Sequence, residues 1–166
     1  AGRGTERVAR ALGGVRGRAV RSRTRAGTGE LNGTGNNTAS LMIGNSGHNS
    51  LTGGKGHDTL TVGLGADTFV FGLASGADTI TDFSASGGDQ IDLSAYHAQA
   101  TAVITQVGLD TTIDLGGGNV ITLTHVTATD STFLSQITSS GCGVVLERDP
   151  QTDLHLSVKL LVKAKS

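Results

Sequence analysis

The sequence predicts an all-β fold, a coil of very short strands capped by a small antiparallel β region and bordered by flexible flanks. Three observations carry this. Twenty-six of the 166 residues are Gly, with one Pro and five aromatic side chains (Phe69, Phe71, Phe83, Tyr96, Phe133), a composition of tight turns that suits neither a helical bundle nor an aromatic-lined pocket. The stretch from Gly44 to Val70 divides without a gap into three nonapeptides. After it, the turn-forming connections Gly108-Leu109-Asp110 and Gly116-Gly117-Gly118-Asn119 separate the strand-like runs Ala102–Val107, Thr111–Leu115 and Val120–Val126.

The length fits one domain at about 100–200 residues each. The hydrophobic fraction without Gly is 36%, and the roughly 45–50% of ordinary globular chains is reached only by counting Gly, so a large aliphatic core is not expected. The single Cys142 excludes an intramolecular disulfide and a zinc site built from Cys pairs. No apolar run approaches the roughly 18 residues of a membrane-spanning helix, so stable membrane insertion is not expected. The Arg-rich start lacks the apolar stretch of a secretory leader; if the protein is exported, that address is absent or was removed before Ala1.

Residues 1–31 read as an Arg/Gly-rich flexible leader. Up to Glu30 they hold eight Arg and no Lys against Glu6 and Glu30, a net charge of +6. Val8, Leu12, Val15 and Ala19 recur at helical spacing, but Gly13, Gly14 and Gly17 each disfavour a helix by about 1 kcal/mol relative to Ala. No aromatic residue interleaves the arginines to stack on bases, and no nucleic-acid partner is expected.

Residues 32–138 form the next unit; positions 31–138 hold nine Asp against the lone Lys55, a net charge of −8. The nonapeptides read GNSGHNSLT (44–52), GGKGHDTLT (53–61) and VGLGADTFV (62–70), preceded by an eroded copy, GNNTASLMI (35–43). Position four is Gly47, Gly56 and Gly65, position six is Asn49, Asp58 and Asp67, and position eight is Leu51, Leu60 and Phe69. Glycines at alternating places allow positive φ and a tight turn whose carbonyls face inward. A carboxylate beside those carbonyls offers hard oxygen ligands, which suit Ca²⁺. The apolar eighth residue, flanked by Ser or Thr, centres a short strand with one face buried. Two units make one coil, so residues eighteen apart stack, and Asp58 faces the eroded copy on one side and the segment from Phe71 to Asp78 on the other.

On these residues the chain resembles the RTX, or hemolysin-type, calcium-binding repeat. Gly76-Ala77-Asp78-Thr79-Ile80-Thr81-Asp82-Phe83 and Asp89-Gln90-Ile91-Asp92-Leu93-Ser94 are similar to the segment that closes the roll at the carboxy terminus of type I-secreted bacterial proteins, among them serralysin-like proteases, lipases and alginate epimerases. The resemblance implies a right-handed parallel β-roll with Ca²⁺ held between successive turns. It further implies export by the type I secretion machinery in an unfolded state, folding in external calcium, and an extracellular or cell-surface location for a monomer. By match to the motif, Asp58 and Asp67 are carboxylate ligands and Asp78 a late one at the closing edge. Gly53, Gly54, Gly56, Gly63 and Gly65 mark the carbonyl-bearing turns, with Gly44, Gly47 and the neutral Asn49 in the first. Asn49 and Ser40 depart from the carboxylate at position six, which predicts one or two good sites rather than a long ladder.

Asp82, Asp89 and Asp92 read as strand-flank or turn residues, and His48 and His57 as exposed turn residues, since two His without a third ligand make a poor zinc site. The glycine trio lacks the Lys-Ser/Thr of a phosphate loop, no HExxH is present, and no nucleophile motif appears, so the chain itself is not expected to be an enzyme. Its rivals are the end of a secreted metalloprotease, lipase or polysaccharide-modifying enzyme with its catalytic domain upstream, and an adhesin or surface-layer module. Residues 139–166 form a tail whose origin the sequence leaves open: Leu154, Leu156, Val158 and Leu160 alternate as a strand would, while Leu154, Val158, Leu161 and Val162 sit at helical spacing.

Overall fold

The computed structural model describes residues 21–22, 27–96, 101–128 and 134–138, together with the tail strands named below. Each position-eight apolar residue of the repeat, Met42 of the eroded copy included, lies in a short strand: β3 (Leu41–Ile43), β4 (Asn49–Thr52), β5 (Thr59–Thr61) and β6 (Thr68–Val70). β-Branched neighbours favour extended backbone, and the six residues between strands reverse the chain. Successive strands therefore alternate between two sheets. One holds β2 (Leu31–Thr34), β4, β6, β8 (Gln90–Asp92) and β12 (Ile137–Thr138); the other begins with β1 (Arg21–Ser22), β3, β5 and β7 (Ala77–Ile80). All pairings in this part are parallel, and the fold is a parallel β-roll.

The expected eighteen-residue stacking holds through the nonapeptides: Leu31 pairs with Asn49, Leu41 with Thr59 and Ser50 with Thr68. It then widens, with Thr59 on Thr79 and Thr68 on Gln90. The added residues fall in the turns 71–76 and 81–89, the second containing a 3₁₀ turn at Ala85–Gly87 whose N-cap Ser84 accepts the Gly87 N–H. The repeat fades in sequence while the coil continues in space.

Because side chains alternate along a strand, positions six and eight of each unit both face inward. Position eight builds the core in two columns. Leu51, Phe69, Ile91 and Ile137 stack in one sheet, and Met42, Leu60, Ile80 and Leu123 in the other, all buried. At the amino-terminal end of the Leu51 column Gly33 carries no side chain. The Met42 methyl fills the space instead, 2.6 Å from where a Gly33 Cβ would be.

The cap is β9 (Thr101–Val107), β10 (Asp110–Gly116) and β11 (Asn119–Leu123), paired antiparallel, with β11 laid parallel on β7 so that roll and cap share one sheet. Gly117 and Gly118, with φ of 62° and 82°, form the tight reversal between β10 and β11, as two-residue hairpins require. The strand expected to run to Val126 ends at Leu123, because Asp110 Oδ1 accepts the His125 N–H at 2.9 Å and fixes a turn there.

Both flanks contribute strands. The boundary expected at 31/32 falls inside this fold: Leu31 is buried, Arg21–Ser22 pairs with Leu41–Met42, and Asn45 Nδ2 and Ser46 Oγ donate to the carbonyls of Gly29 and Gly27. The rest of the Arg-rich leader lies outside the described residues. In the tail, β15 (Ser157–Leu161) pairs antiparallel with β9, β14 (Leu146–Arg148) pairs with β15, and β13 (Cys142–Gly143) pairs with β16 (Lys163–Ala164). Of the two periodicities in the tail, the strand is the one realised.

Candidate metal centre

Position six lies two residues before each core residue, and its inward direction buries a column of polar side chains. Asp58, Asp67, Asp78 and Asp89 are each at most 1% exposed, and Asn49 and Ser40 are also buried. An isolated buried carboxylate is costly, and the roll compensates with a repeated contact along each of its two long edges. On one edge the Ser40 N–H donates to Asp58 Oδ1 at 2.8 Å and the Asp58 N–H to Asp78 Oδ1 at 2.9 Å. On the other the Asn49 N–H donates to Asp67 Oδ1 at 2.6 Å and the Asp67 N–H to Asp89 Oδ1 at 3.0 Å. Each carboxylate thus holds the turn that precedes it.

The second oxygens decide what else these groups can do. Oδ2 of Asp58, Asp67 and Asp78 is buried and has no hydrogen-bond partner, and the same holds for Ser75 Oγ. A buried acceptor left unmatched is unfavourable by about 1–3 kcal/mol, more for a charged group. Asp89 differs, since its Oδ2 accepts the Ser84 N–H at 2.8 Å. Burial drives the Asp78 and Asp89 carboxyls up to about 6, the neighbouring carboxylates Asp58 and Asp67 respectively adding to the rise, and burial also raises Asp58. A cation beside these carboxyls would favour their ionised form.

The turns supply the remaining oxygens. A Cβ on Gly44, Gly54, Gly63, Gly65 or Gly76 would strike the carbonyl oxygen of Val62, Asn36, Asn45, Gly47 or Gly56 respectively, and one on Gly53 would strike Asp58 Oδ2. Glycine is therefore required where consecutive turns bring their carbonyls together. Gly54, Gly56, Gly63 and Gly65 also take φ between 96° and 134°, which L-residues with a Cβ disfavour. Gly47 lies against the Thr28 and Gly29 carbonyls in the same way. Among the described residues no three His, Cys, Asp or Glu side chains converge on one point, so any ion here is held chiefly by backbone carbonyls with one or two carboxylates. That donor set suits a hard cation of high coordination number and excludes a His- or Cys-rich zinc centre. His48 and His57 are exposed.

The structure brings Asp58 and Asp78 to one edge and Asn49 and Asp67 to the other. Asp89 is the residue that sequence reasoning placed outside the site. Aligning Gln90-Ile91-Asp92 on Thr68-Phe69-Val70 puts it at position six, a register hidden by the longer turn. Asp82, also read as a flank residue, accepts the N–H groups of Val62 and Gly63 at 3.0 and 2.7 Å and closes the turn below it.

Residues 27–141 match the family model of the peptidase M10 serralysin C-terminal region. The chain belongs to the serralysin C-terminal family. As a serralysin C-terminal module of RTX type, it pairs its repeats with a closing segment inside one matched region. No curated protein matches the sequence. Among solved structures, the solution structure of the AlgE6R3 subunit of the Azotobacter vinelandii mannuronan C5-epimerase is similar, with 23% identity, 76% of this chain and 92% of that chain covered, and a TM-score of 0.45. No described helix of the module is long and apolar enough to cross a membrane.

Proposed function

We propose that this serralysin C-terminal module binds Ca²⁺ between its turns, folds on it outside the cell, and accompanies a bacterial protein through type I secretion. The observation that carries the reading is the set of buried, unpartnered carboxylate oxygens on Asp58, Asp67 and Asp78, lying among carbonyl-bearing glycine turns. Asp58 and Asp78 on one edge and Asp67 on the other would hold the ions, which supply the positive charge these oxygens lack. With −8 on residues 31–138 and little apolar area, the ion-free segment resists compaction, and metal binding supplies folding free energy directly. The module's role is binding and folding; catalysis belongs to a partner domain.

A calcium titration followed by far-UV circular dichroism tests this. β structure is expected to appear with a midpoint near 10⁻⁴–10⁻³ M, roughly the range of extracellular calcium modules. Identical spectra in excess chelator and in about 10 mM calcium, well above that range, would overturn it.

A further inference from the structure

The turns of the roll are of two chemical kinds, divided by position along the chain. In the first coil, position six carries a hydrogen-bond donor. Ser40 Oγ donates to the Thr38 carbonyl at 2.9 Å. Asn49 Nδ2 donates to the Gly47 carbonyl at 2.5 Å, to the Asn45 carbonyl at 3.3 Å and to Asp67 Oδ1 at 2.9 Å. All three neighbours are acceptors, which fixes the amide with its nitrogen toward them. Both donors reach the carbonyl two residues back, at position four. In the later turns position six is Asp58, Asp67 or Asp78, each with an unpartnered Oδ2.

Position two changes with position six. In the first coil it is Asn36 and Asn45. Asn36 Oδ1 accepts from the Thr38 N–H and hydroxyl at 2.9 and 2.8 Å, and Asn45 Oδ1 from the Gly47 N–H at 2.8 Å. Such side-chain contacts stand in for a backbone turn. In the next two units position two is Gly54 and Gly63, with φ of 98° and 96°, and no side chain holds the turn from within.

We propose that the first coil, residues 35–52, closes without a metal ion, Ser40 and Asn49 placing protons where later turns require a cation. Asn49 is then not a ligand but a resident substitute for one: its amide hydrogens occupy the meeting point of two carbonyls and the Asp67 carboxylate. Ion uptake begins only at Asp58, on a coil already formed. The statement about ions rests on the calcium reading above; the closure of the turn does not.

The test uses the full chain, with hydrogen exchange of backbone amides measured as free calcium is lowered, and calcium stoichiometry measured for the wild type and Asn49→Asp. The wild-type amides of 44–49 are expected to stay protected at calcium levels where those of 62–67 have opened, with at least about tenfold slower exchange, the effect of one or two hydrogen bonds. Asn49→Asp is expected to take up one more ion per chain and to lose protection at 44–49 together with 62–67. Opening of 44–49 in step with 62–67 in the wild type, or unchanged stoichiometry in a folded Asn49→Asp, would overturn the proposal. Should Asn49→Asp fail to fold, Asn49→Ser decides, because it keeps a donor: retained protection at 44–49 in low calcium supports the proposal, and its loss overturns it. A wild type that binds no calcium yet protects 44–49 refutes the calcium reading and leaves the self-closed coil standing.

Discussion

The backbone N–H of Asp58 lies 2.9 Å from Asp78 Oδ1, a contact that joins residues twenty positions apart. Asp58 in turn accepts the Ser40 N–H, so one residue is held by the turn after it and holds the turn before it. Each is a hydrogen bond to a group that can carry charge, about twice as strong as a neutral one.

Asp67→Ala is expected to raise the calcium midpoint for folding well beyond the effect of Asp110→Ala. Asp67 combines the contact to the Asn49 N–H with an unpartnered inward oxygen, whereas Asp110 accepts the His125 N–H in a surface turn of the cap. Calcium titrations of the two variants by circular dichroism check this, and equal midpoints would refute the proposed register.

The pH dependence should change sign with calcium. The folded-state pKa of Asp78 and Asp89 is about 6, raised above the ordinary 3.8. Each therefore contributes stability to the ion-free fold that is complete below about pH 4, near the unfolded carboxyl pKa, and is lost as pH rises through 6. In chelator, circular dichroism should show more β structure at pH 5 than at pH 7.5. Calcium must displace the same protons, so its midpoint should rise as pH falls from 7.5 to 5. More β structure at pH 7.5 than at pH 5 in chelator, or a midpoint indifferent to pH, would count against the buried carboxyls described here.

Gly76→Ala is expected to abolish or severely weaken the roll, because φ is 97° and the added methyl would land on the Gly56 carbonyl. Gly72→Ala is the control, with nothing within 4 Å of the new Cβ. It should stay within about 0.5 kcal/mol of wild type. Chemical denaturation in saturating calcium compares them.

Phe69 is fully buried between Leu51 and Ile91 in its column, with its ring centroid 6.2 Å from that of Phe83. Phe69→Ala should destabilise the calcium-loaded fold by about 3–5 kcal/mol. Leu64→Ala, at a side chain 77% exposed, should change it by less than about 0.5 kcal/mol. Comparable losses from the two would contradict the inward assignment of position eight.

The repeat made the roll legible because its period fixes both stacking and facing: once Leu51, Leu60 and Phe69 share a position, two columns and two edges follow. The cap was readable from turn chemistry at Gly108 and Gly116–Gly118. Asp89 was hidden because lengthened turns break the count without breaking the geometry. The strand at Ser157–Leu161 was hidden because its partner Thr101–Val107 is distant in sequence, and alternation in a short apolar run also fits a helix. For Asn49 the sequence cannot say which end of the amide faces inward; in the structure its Nδ2 faces three acceptors.

Every carboxylate contact along the two edges runs backward, from a later turn to the one before it. A coil is therefore secured by its successor and receives no such grip from its predecessor. Shortening the roll from its carboxy-terminal side removes a coil and also unlatches the one left exposed, while shortening it from the other side takes away no carboxylate latch from the coils that remain. The two ends of this solenoid are thus unequal as places for grafting coils: one added in front would meet Ser40 and Asn49, which offer no carboxylate to secure it, whereas one added behind can bring its own.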